Sequence, residues 1–262
     1  SQTETFKLSD AVIDTTSIAG KTLYKFTCYV KAKQMNDQIK IQAVTDSNSG
    51  EKVYNYSIRQ YADNIIAGSQ YSEELKYLVR VMMQYGSCAQ KYLKYDVHNL
   101  ANAGMDMSDV LESAENLTAE DLETYKSSVT EMPDGISIYA ANLSLLSETV
   151  LRYHFKLDDG YDIADYSFEV GGKKYSPMLK NGYYCIEVEN IRAQDIDKMF
   201  EVTVIDKNAK SGTVTYGALS YVRNILKNGT SKYSQELIDT VRSLYLYNQA
   251  AELYIGSKSL AA

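Results

Sequence analysis

The chain carries the stretch YSEELKYLVR at residues 71–80 and a close copy, YSQELIDTVR, at residues 233–242. Over the 22 positions that begin with Tyr71 and Tyr233, nine residues match at a constant offset of 162. Further upstream the offset is 160 and then 161, so the copies differ by short loop insertions. Because self-similarity at a constant offset marks a repeated structural unit, we predict an internal duplication.

Each copy has the pattern of short strands followed by two helices. In the first copy, apolar and polar residues alternate from Tyr24 to Val30, which is typical of a half-buried strand. A helix over roughly 57–67 follows, and Ser72 has the position of an N-cap for a second helix with one apolar stripe. We therefore predict an α+β fold of two related units, each an antiparallel β-sheet or small sandwich followed by an α-hairpin.

The second copy has an additional β-rich preface without a visible counterpart in the first. Apolar residues alternate with polar ones over 151–157, 166–170 and 184–188. Gly171-Gly172 and Asn181-Gly182 are hairpin turn signals between such segments. With the alternating segment over 200–204, the sequence predicts six or seven short strands, which is enough for a small antiparallel sandwich.

The segment between the copies differs from the rest in charge. Residues 101–136 hold nine acidic residues and one basic residue, so this segment accounts for the net charge of −7 and the remainder is nearly neutral. We predict an acidic linker with a short helix over 101–136, between a first unit at 1–100 and a second unit at 137–262. A chain without a basic face is not expected to bind nucleic acid.

No motif of a known catalytic class is present. The sequence lacks G-x-S-x-G, G-x-x-x-x-G-K-[ST] and G-x-G-x-x-G, and it has two histidines and three scattered cysteines, which we expect as buried thiols. The aspartates at 158, 159, 162 and 165 surround a turn but miss the EF-hand spacing. We predict no enzyme activity, no cofactor and no metal. A hydrolase whose carboxylates meet only in space stays open as an alternative.

The most unusual feature of the composition is its 24 tyrosines, against 5 phenylalanines and no tryptophan. Tyrosines that recur in both copies, such as Tyr85 and Tyr247, lie on helical apolar stripes and are expected to pack in cores. Other tyrosines can stack on a sugar ring while nearby amides and carboxylates bond its hydroxyls. The candidates for such an aromatic platform are Tyr29, Tyr54, Tyr56, Tyr161 and Tyr183. For each of them, an ordinary half-exposed tyrosine is the alternative.

The run from residue 71 to 92, followed by Leu100-Ala101-Asn102, resembles a repeat in large secreted proteins of gut clostridia. Residues 32–37 and 57–61 are similar too, whereas the second copy departs with Asn248 in place of Gly86. Some of these repeats resemble the second starch-binding module of ruminococcal starch-adherence (amylosome) proteins. The resemblance implies a non-catalytic module that binds polysaccharide, with α-glucan as the first expectation.

The resemblance also implies a secreted or cell-surface location within a multi-modular chain. No apolar run reaches the roughly 18 residues of a membrane span, so membrane insertion is not expected. The first residues lack the basic and apolar regions of a signal peptide, which we do not expect within this chain. The alternative function is a protein-interaction or spacer module of a larger surface protein, with another surface protein as the partner.

Overall fold

Serine side chains cap the N-termini of the two helices that the sequence predicts in the first copy. The computed structural model describes residues 4–18, 21–42, 44, 53–145 and 149–260. Ser57 Oγ accepts a hydrogen bond from the Gln60 amide at 3.1 Å, and Ser72 Oγ accepts one from the Leu75 amide at 3.3 Å. Each serine thereby satisfies an amide that the first helical turn leaves without a backbone partner, so the predicted N-cap at Ser72 is confirmed.

The described residues form an α+β fold with four antiparallel sheets. The α-helices are α1 (Ile58–Ala67), α2 (Glu73–Tyr92), α3 (Ser108–Asn116), α4 (Ala218–Asn228) and α5 (Gln235–Leu260). The strands of the first half are β1 (Val12–Ile18), β2 (Lys21–Lys25), β3 (Ile39–Gln42), β4 (Val53–Tyr56) and β5 (Ser128–Val129). The remaining strands are β6 (Ile136–Ser144), β7 (Val150–Leu157), β8 (Tyr166–Val170), β9 (Lys173–Tyr175), β10 (Met178–Lys180), β11 (Tyr183–Val188), β12 (Met199–Asp206) and β13 (Ser211–Gly217). Within the described ranges, no helix combines the length and apolar content that a membrane crossing requires.

The chain divides between Lys31 and Ala32 into two compact units. In the first, β1 and β2 form an antiparallel hairpin, and the Phe6 and Phe26 rings lie 5.7 Å apart. The predicted strand from Tyr24 onward ends with β2 at Lys25, and Cys28 is exposed, so its expected burial was wrong. A two-stranded hairpin has no second layer, and alternation along it therefore does not produce burial.

In the second unit, two sheets pack face to face as a sandwich. One has the strand order β10-β11-β7-β6 and the other β5-β13-β12-β8-β9. The Phe155 and Phe168 rings meet between them with centroids 5.1 Å apart. The buried Tyr153 hydroxyl lies 3.1 Å from the Phe200 carbonyl and 3.0 Å from the Tyr216 carbonyl, so it links β7 to β12 and β13. The sandwich predicted for this part of the chain is present.

Both predicted glycine turns are two-residue hairpins. Asn181 and Gly182 have φ values of +51° and +82° and join β10 to β11, whereas Gly171 and Gly172 join β8 to β9. Positive φ at both central residues fits the right-handed twist of the flanking strands. These turns therefore determine the register of both hairpins.

The two long helices, α2 and α5, pack against each other. The Tyr85 and Tyr247 rings stack between them with centroids 5.9 Å apart, which confirms the core role predicted for this pair. The order of elements is the same before each of these two helices: a 3-10 turn, two strands, a shorter helix and the long helix. The 3-10 turn Ala32–Gln34 precedes β3, β4, α1 and α2, and the 3-10 turn Ala193–Asp195 precedes β12, β13, α4 and α5.

Apolar residues of the acidic segment 101–136 pack into the hydrophobic cores. Val110 on α3, Leu117 and Leu122 are buried, and β5 extends the five-stranded sheet by pairing with β13. The acidic side chains lie mainly on the exposed side of these turns, while apolar residues at helical spacing face inward. The division into a first unit at 1–100, a segment at 101–136 and a second unit at 137–262 stays a prediction.

Candidate functional site

The outer face of the four-stranded sheet carries an aromatic pair that depends on a β-bulge. The register of β6 against β7 shifts between Ile138 and Ala140, which makes Tyr139 the extra residue of the bulge. A bulge re-aims the side chain of its extra residue. The Tyr139 ring stacks on the Tyr183 ring of β11, with centroids 4.0 Å apart and an interplanar angle of 16°.

This pair leaves an aromatic surface open to solvent. Tyr139 is 61% exposed, and Tyr183 covers one face of its ring, so the other face remains available for stacking. A hydrogen bond with Tyr139 raises the pKa of the Tyr183 hydroxyl. A tyrosine ring with one free face suits contact with the apolar face of a ligand.

Charged side chains lie on the same outer face in fixed positions. Glu187 on β11 accepts hydrogen bonds from Arg152 Nε at 2.6 Å and from Lys180 Nζ at 2.9 Å. The hydrogen bond from Lys180, followed by that from Arg152, lowers the pKa of the Glu187 carboxyl. The three groups form a cation–anion–cation row across β7, β11 and β10 that can donate to and accept from ligand hydroxyls.

A neutral histidine occupies the middle of this outer face. His154 lies opposite Cys185 in the register of β7 and β11, and Asn142 Nδ2 lies 3.2 Å from its Nε2. Burial lowers the pKa of His154, and the positive charges of Arg152 and Lys180 lower it further. The neutral ring therefore accepts at Nε2 from the Asn142 amide, which orients both groups.

A groove of about 500 Å³ lies at the end of the five-stranded sheet. The aromatic rings of Tyr175 and Phe200 line it, together with Glu169, Glu201 and Thr203. Rings combined with carboxylates and a hydroxyl form a lining that can hold a polar ligand with apolar faces. The groove is thus a second candidate surface for a ligand that has both polar and apolar faces.

Two carboxylate pairs bear on the hydrolase alternative. Asp197 and Glu252 contact each other directly, and burial together with Asp197 raises the pKa of Glu252. Direct contact leaves no room for a glycosidic bond between them. Glu169 lies opposite Thr203 across β8 and β12, which makes Glu201 its diagonal neighbour on the same face, at about 7–8 Å. A diagonal spacing of this kind falls within the roughly 5–10 Å that glycosidase carboxyl groups span, so the hydrolase alternative stays a prediction.

The predicted platform residues lie in different parts of the fold. Tyr183 belongs to the stacked pair, and Tyr54 and Tyr56 lie two residues apart on one face of β4, both exposed. Tyr161 is exposed at a turn, with its ring against Gly135. Tyr29 is also exposed and belongs to the unit that ends at Lys31. The structure thus brings together Tyr54 with Tyr56, and Tyr183 with a residue that sequence reasoning missed.

That missed residue is Tyr139, and its neighbour Asn142 was missed as well. Strand β6 begins just after the turn at Asp134-Gly135, and its Ile136-Ser137-Ile138 start is the alternation signal that could have revealed it. The bulge itself leaves no mark in a single sequence. Pairing of Tyr139 with Tyr183 therefore had to come from the three-dimensional structure.

The aspartates around the turn at 158–165 have local roles. Asp162 caps a 3-10 turn by accepting from the Ala164 amide at 3.0 Å, and Asp165 pairs with Lys207 at 2.8 Å. Across the described part of the chain, no group of three or more His, Cys, Asp or Glu side chains has an arrangement that could hold a metal ion.

Comparison with protein-family models, with curated proteins and with solved structures gives no match to this chain.

Proposed function

We propose that this protein is a non-catalytic polysaccharide-binding module, with starch-like α-glucan as its first ligand class. The observation that carries the proposal is the stacked Tyr139–Tyr183 pair on a polar sheet face. A pyranose ring can lie on the free face of Tyr139, because sugar C–H groups pack well against an aromatic ring. Arg152, Glu187 and Asn142 then lie on the same face to bond the hydroxyls.

The internal comparison also supports a duplicated scaffold, which is part of the proposal. Gly86 on α2 approaches the Ala32 carbonyl so closely that an added Cβ would lie 3.1 Å from it. At the equivalent position of α5, Asn248 Nδ2 donates to the Ala193 carbonyl at 2.9 Å. The same helix position thus contacts the same 3-10 turn in both halves. Together with the repeated order of elements, this favours two copies of one ancestral unit.

We further propose that the module acts on a cell surface or after secretion, as one part of a larger chain. The support is the resemblance described above. A binding module on a surface protein holds the substrate near the enzymes or the cell, without performing chemistry itself.

The test is affinity electrophoresis of the full chain in gels that contain amylopectin, xylan or β-glucan. We expect retardation in the amylopectin gel, and a loss of at least about tenfold in affinity for the Tyr139→Ala, Tyr183→Ala double variant, which removes the stack. Tyr61→Ala is the matched control, because it removes an exposed tyrosine on α1 that is not among the candidate platform residues. Unretarded migration in all three gels would overturn the proposal.

Two further outcomes separate the competing sites. If Tyr175→Ala loses binding and the double variant does not, the ligand binds in the groove beside β9 and not on the Tyr139–Tyr183 pair. If the wild type releases reducing ends and Glu201→Gln abolishes this release, the protein is a hydrolase and not a non-catalytic binding module.

A second candidate function is protein interaction. The observation that favours it is the β3–β4 hairpin, where Ile41, Tyr54 and Tyr56 lie on one face and are all exposed. A contiguous apolar face of this kind can bind another protein. Purified chain that self-associates in sedimentation velocity, and loses this on Ile41→Lys, would support that role.

A further inference from the structure

An arginine whose Nε has no hydrogen-bond partner lies away from the outer face of the four-stranded sheet. Arg242 on α5 lines a groove of about 370 Å³ beside the end of α4. Its Nε is buried without a hydrogen-bond partner, and its Nη2 lies 3.5 Å from the Leu117 carbonyl, at the limit of a hydrogen bond. Within the described ranges, no carboxylate oxygen lies within 4.0 Å of this guanidinium.

The equivalent arginine in the first half has a carboxylate partner. Arg80 lies on α2 at the position that matches Arg242 with the offset of 162. Its Nη1 and Nη2 donate to the two carboxylate oxygens of Asp109 at 2.6 and 2.7 Å. This comparison rests on the proposed duplication, and it identifies the chemical group that the Arg242 site lacks.

We infer that the Arg242 groove is a binding site for the carboxylate of a sugar acid, such as a uronate residue of an acidic polysaccharide. A carboxylate can accept two parallel hydrogen bonds from a guanidinium, which is the strongest and most directional arrangement available to arginine. Lys227 lines the same groove and adds a second positive charge. Glu120 also lines it and opposes an anion.

The rest of the lining favours a saccharide over a peptide carboxylate. Thr118, Thr230 and Gln235 place hydroxyl and amide groups along the groove, which match the hydroxyls that surround the carboxylate of a sugar acid. Leu226 and Ile238 supply an apolar surface for the C–H face of the ring. Thr118 Oγ1 already donates to Asp121 and Gln235 Nε2 to Asp239, so these two side chains offer acceptor oxygens to sugar hydroxyls, and Thr230 adds its hydroxyl.

The site is separate from the Tyr139–Tyr183 surface, so the two proposals can fail independently. Retardation by amylopectin reports on the sheet face, whereas binding of a short acidic oligosaccharide reports on the groove. We expect the Arg242→Gln variant to keep the amylopectin retardation of the wild type.

The experiment is calorimetric titration of the full chain with trigalacturonate and with its fully methyl-esterified form. We expect the free acid to bind at least about tenfold more tightly than the ester, because esterification removes the charge that Arg242 recognises. Arg242→Gln should abolish this preference. Arg223→Gln is the matched control, since Arg223 lies on the neighbouring helix α4 but pairs with Glu123 outside the groove lining.

Glu120→Gln provides an independent variant that leaves Arg242 in place. Removal of the opposing charge should tighten trigalacturonate binding several-fold, and added salt should weaken it. Equal binding of acid and ester by the wild type would overturn the inference, even if Arg242→Gln failed to fold. Tighter binding of an acetylated tetrapeptide with a free C-terminus than of trigalacturonate would overturn the assignment to a sugar acid.

Discussion

The hairpins β3–β4 and β12–β13 each follow a 3-10 turn and precede two helices, yet they differ in burial. Ile41 is 55% exposed, whereas its counterpart Val202 is fully buried. Tyr56 is 41% exposed, and its counterpart Tyr216 only 7%. Both hairpins form with antiparallel register, so the local structure is the same and the surroundings differ.

The surroundings of β12–β13 explain the difference. Strand β8 pairs with β12, β5 pairs with β13, and the inner face of β7 covers both with Tyr153. Among the described residues, β3 and β4 pair only with each other. Alternation of apolar residues is therefore sufficient for a hairpin, but burial requires a second sheet.

The largest difference is expected from the matched substitutions Tyr216→Ala and Tyr56→Ala. Removal of the buried ring leaves a cavity and should lower the free energy of unfolding by about 3–5 kcal/mol. Removal of the exposed ring should lower it by less than about 1 kcal/mol. Urea unfolding followed by circular dichroism measures both, and equal losses would contradict the comparison.

Tyr153→Phe tests the polar link between the sheets. The phenol hydroxyl lies between the Phe200 and Tyr216 carbonyls, so its loss should lower the free energy of unfolding by about 1–3 kcal/mol. Tyr54→Phe, on the exposed hairpin, is the control and should change it by less than about 0.5 kcal/mol. An unchanged urea midpoint for Tyr153→Phe would mean that packing alone holds the sheets together.

Alkaline pH should lower the stability of the part of the fold that buries tyrosines, which comprises the sandwich and α4. Burial raises the pKa of Tyr221, on the helix after β13, to about 12, and it raises the pKa values of Tyr153 and Tyr216 as well. Since the unfolded chain loses these protons near pH 10, stability is fully present below that pH and falls as the pH rises toward 12. Between pH 10 and its pKa in the folded protein, each such tyrosine lowers the free energy of unfolding by about 1.4 kcal/mol per pH unit.

Tyr221→Phe removes one of these linked protons and should make the alkaline loss of stability less steep. Tyr61→Phe replaces the counterpart on α1 and is the matched control. The measurement is the urea midpoint at several pH values between about 9 and 11. The same slope in wild type and Tyr221→Phe would argue against a buried neutral phenol.

The smallest effect is expected from Ile41→Thr on the exposed hairpin, within about 0.5 kcal/mol. The matched Val202→Thr buries a hydroxyl in an apolar core and should lower the free energy of unfolding by about 1–3 kcal/mol. A large loss for Ile41→Thr in thermal unfolding would show that β3 is covered in solution.

Local features of the fold could be predicted from single residues. The Ser72 cap and the Asn181-Gly182 turn depend on hydrogen bonds and backbone angles within a few residues, and both are present. Tyr85 and Tyr247 were recognisable as core residues because they lie on apolar helical stripes. Their contact with each other required the packing of α2 on α5, which no local pattern describes.

The candidate sites show the same limit. Tyr183 could be found beside its turn, but Tyr139 depends on a bulge in a neighbouring strand. Arg242 could be identified from the sequence only as a match to Arg80, because tertiary contacts place Asp109 beside Arg80 and, among the described residues, place no carboxylate beside Arg242. Side chains that meet across strands or helices carry no fixed spacing along the chain.

The sequence by itself determined the starts of α1 and α2, the hairpin turns, the strands β7, β8 and β11 and the recurrence of one sequence pattern at two places. The tertiary structure alone decided which hairpin is buried, which tyrosine stacks on Tyr183 and which arginine has no carboxylate partner within the described part of the chain. The physical reason is one of range. Caps, turns and periodicity are determined by neighbours within one or two turns of chain, whereas burial and side-chain pairing depend on segments that the fold brings together from far apart.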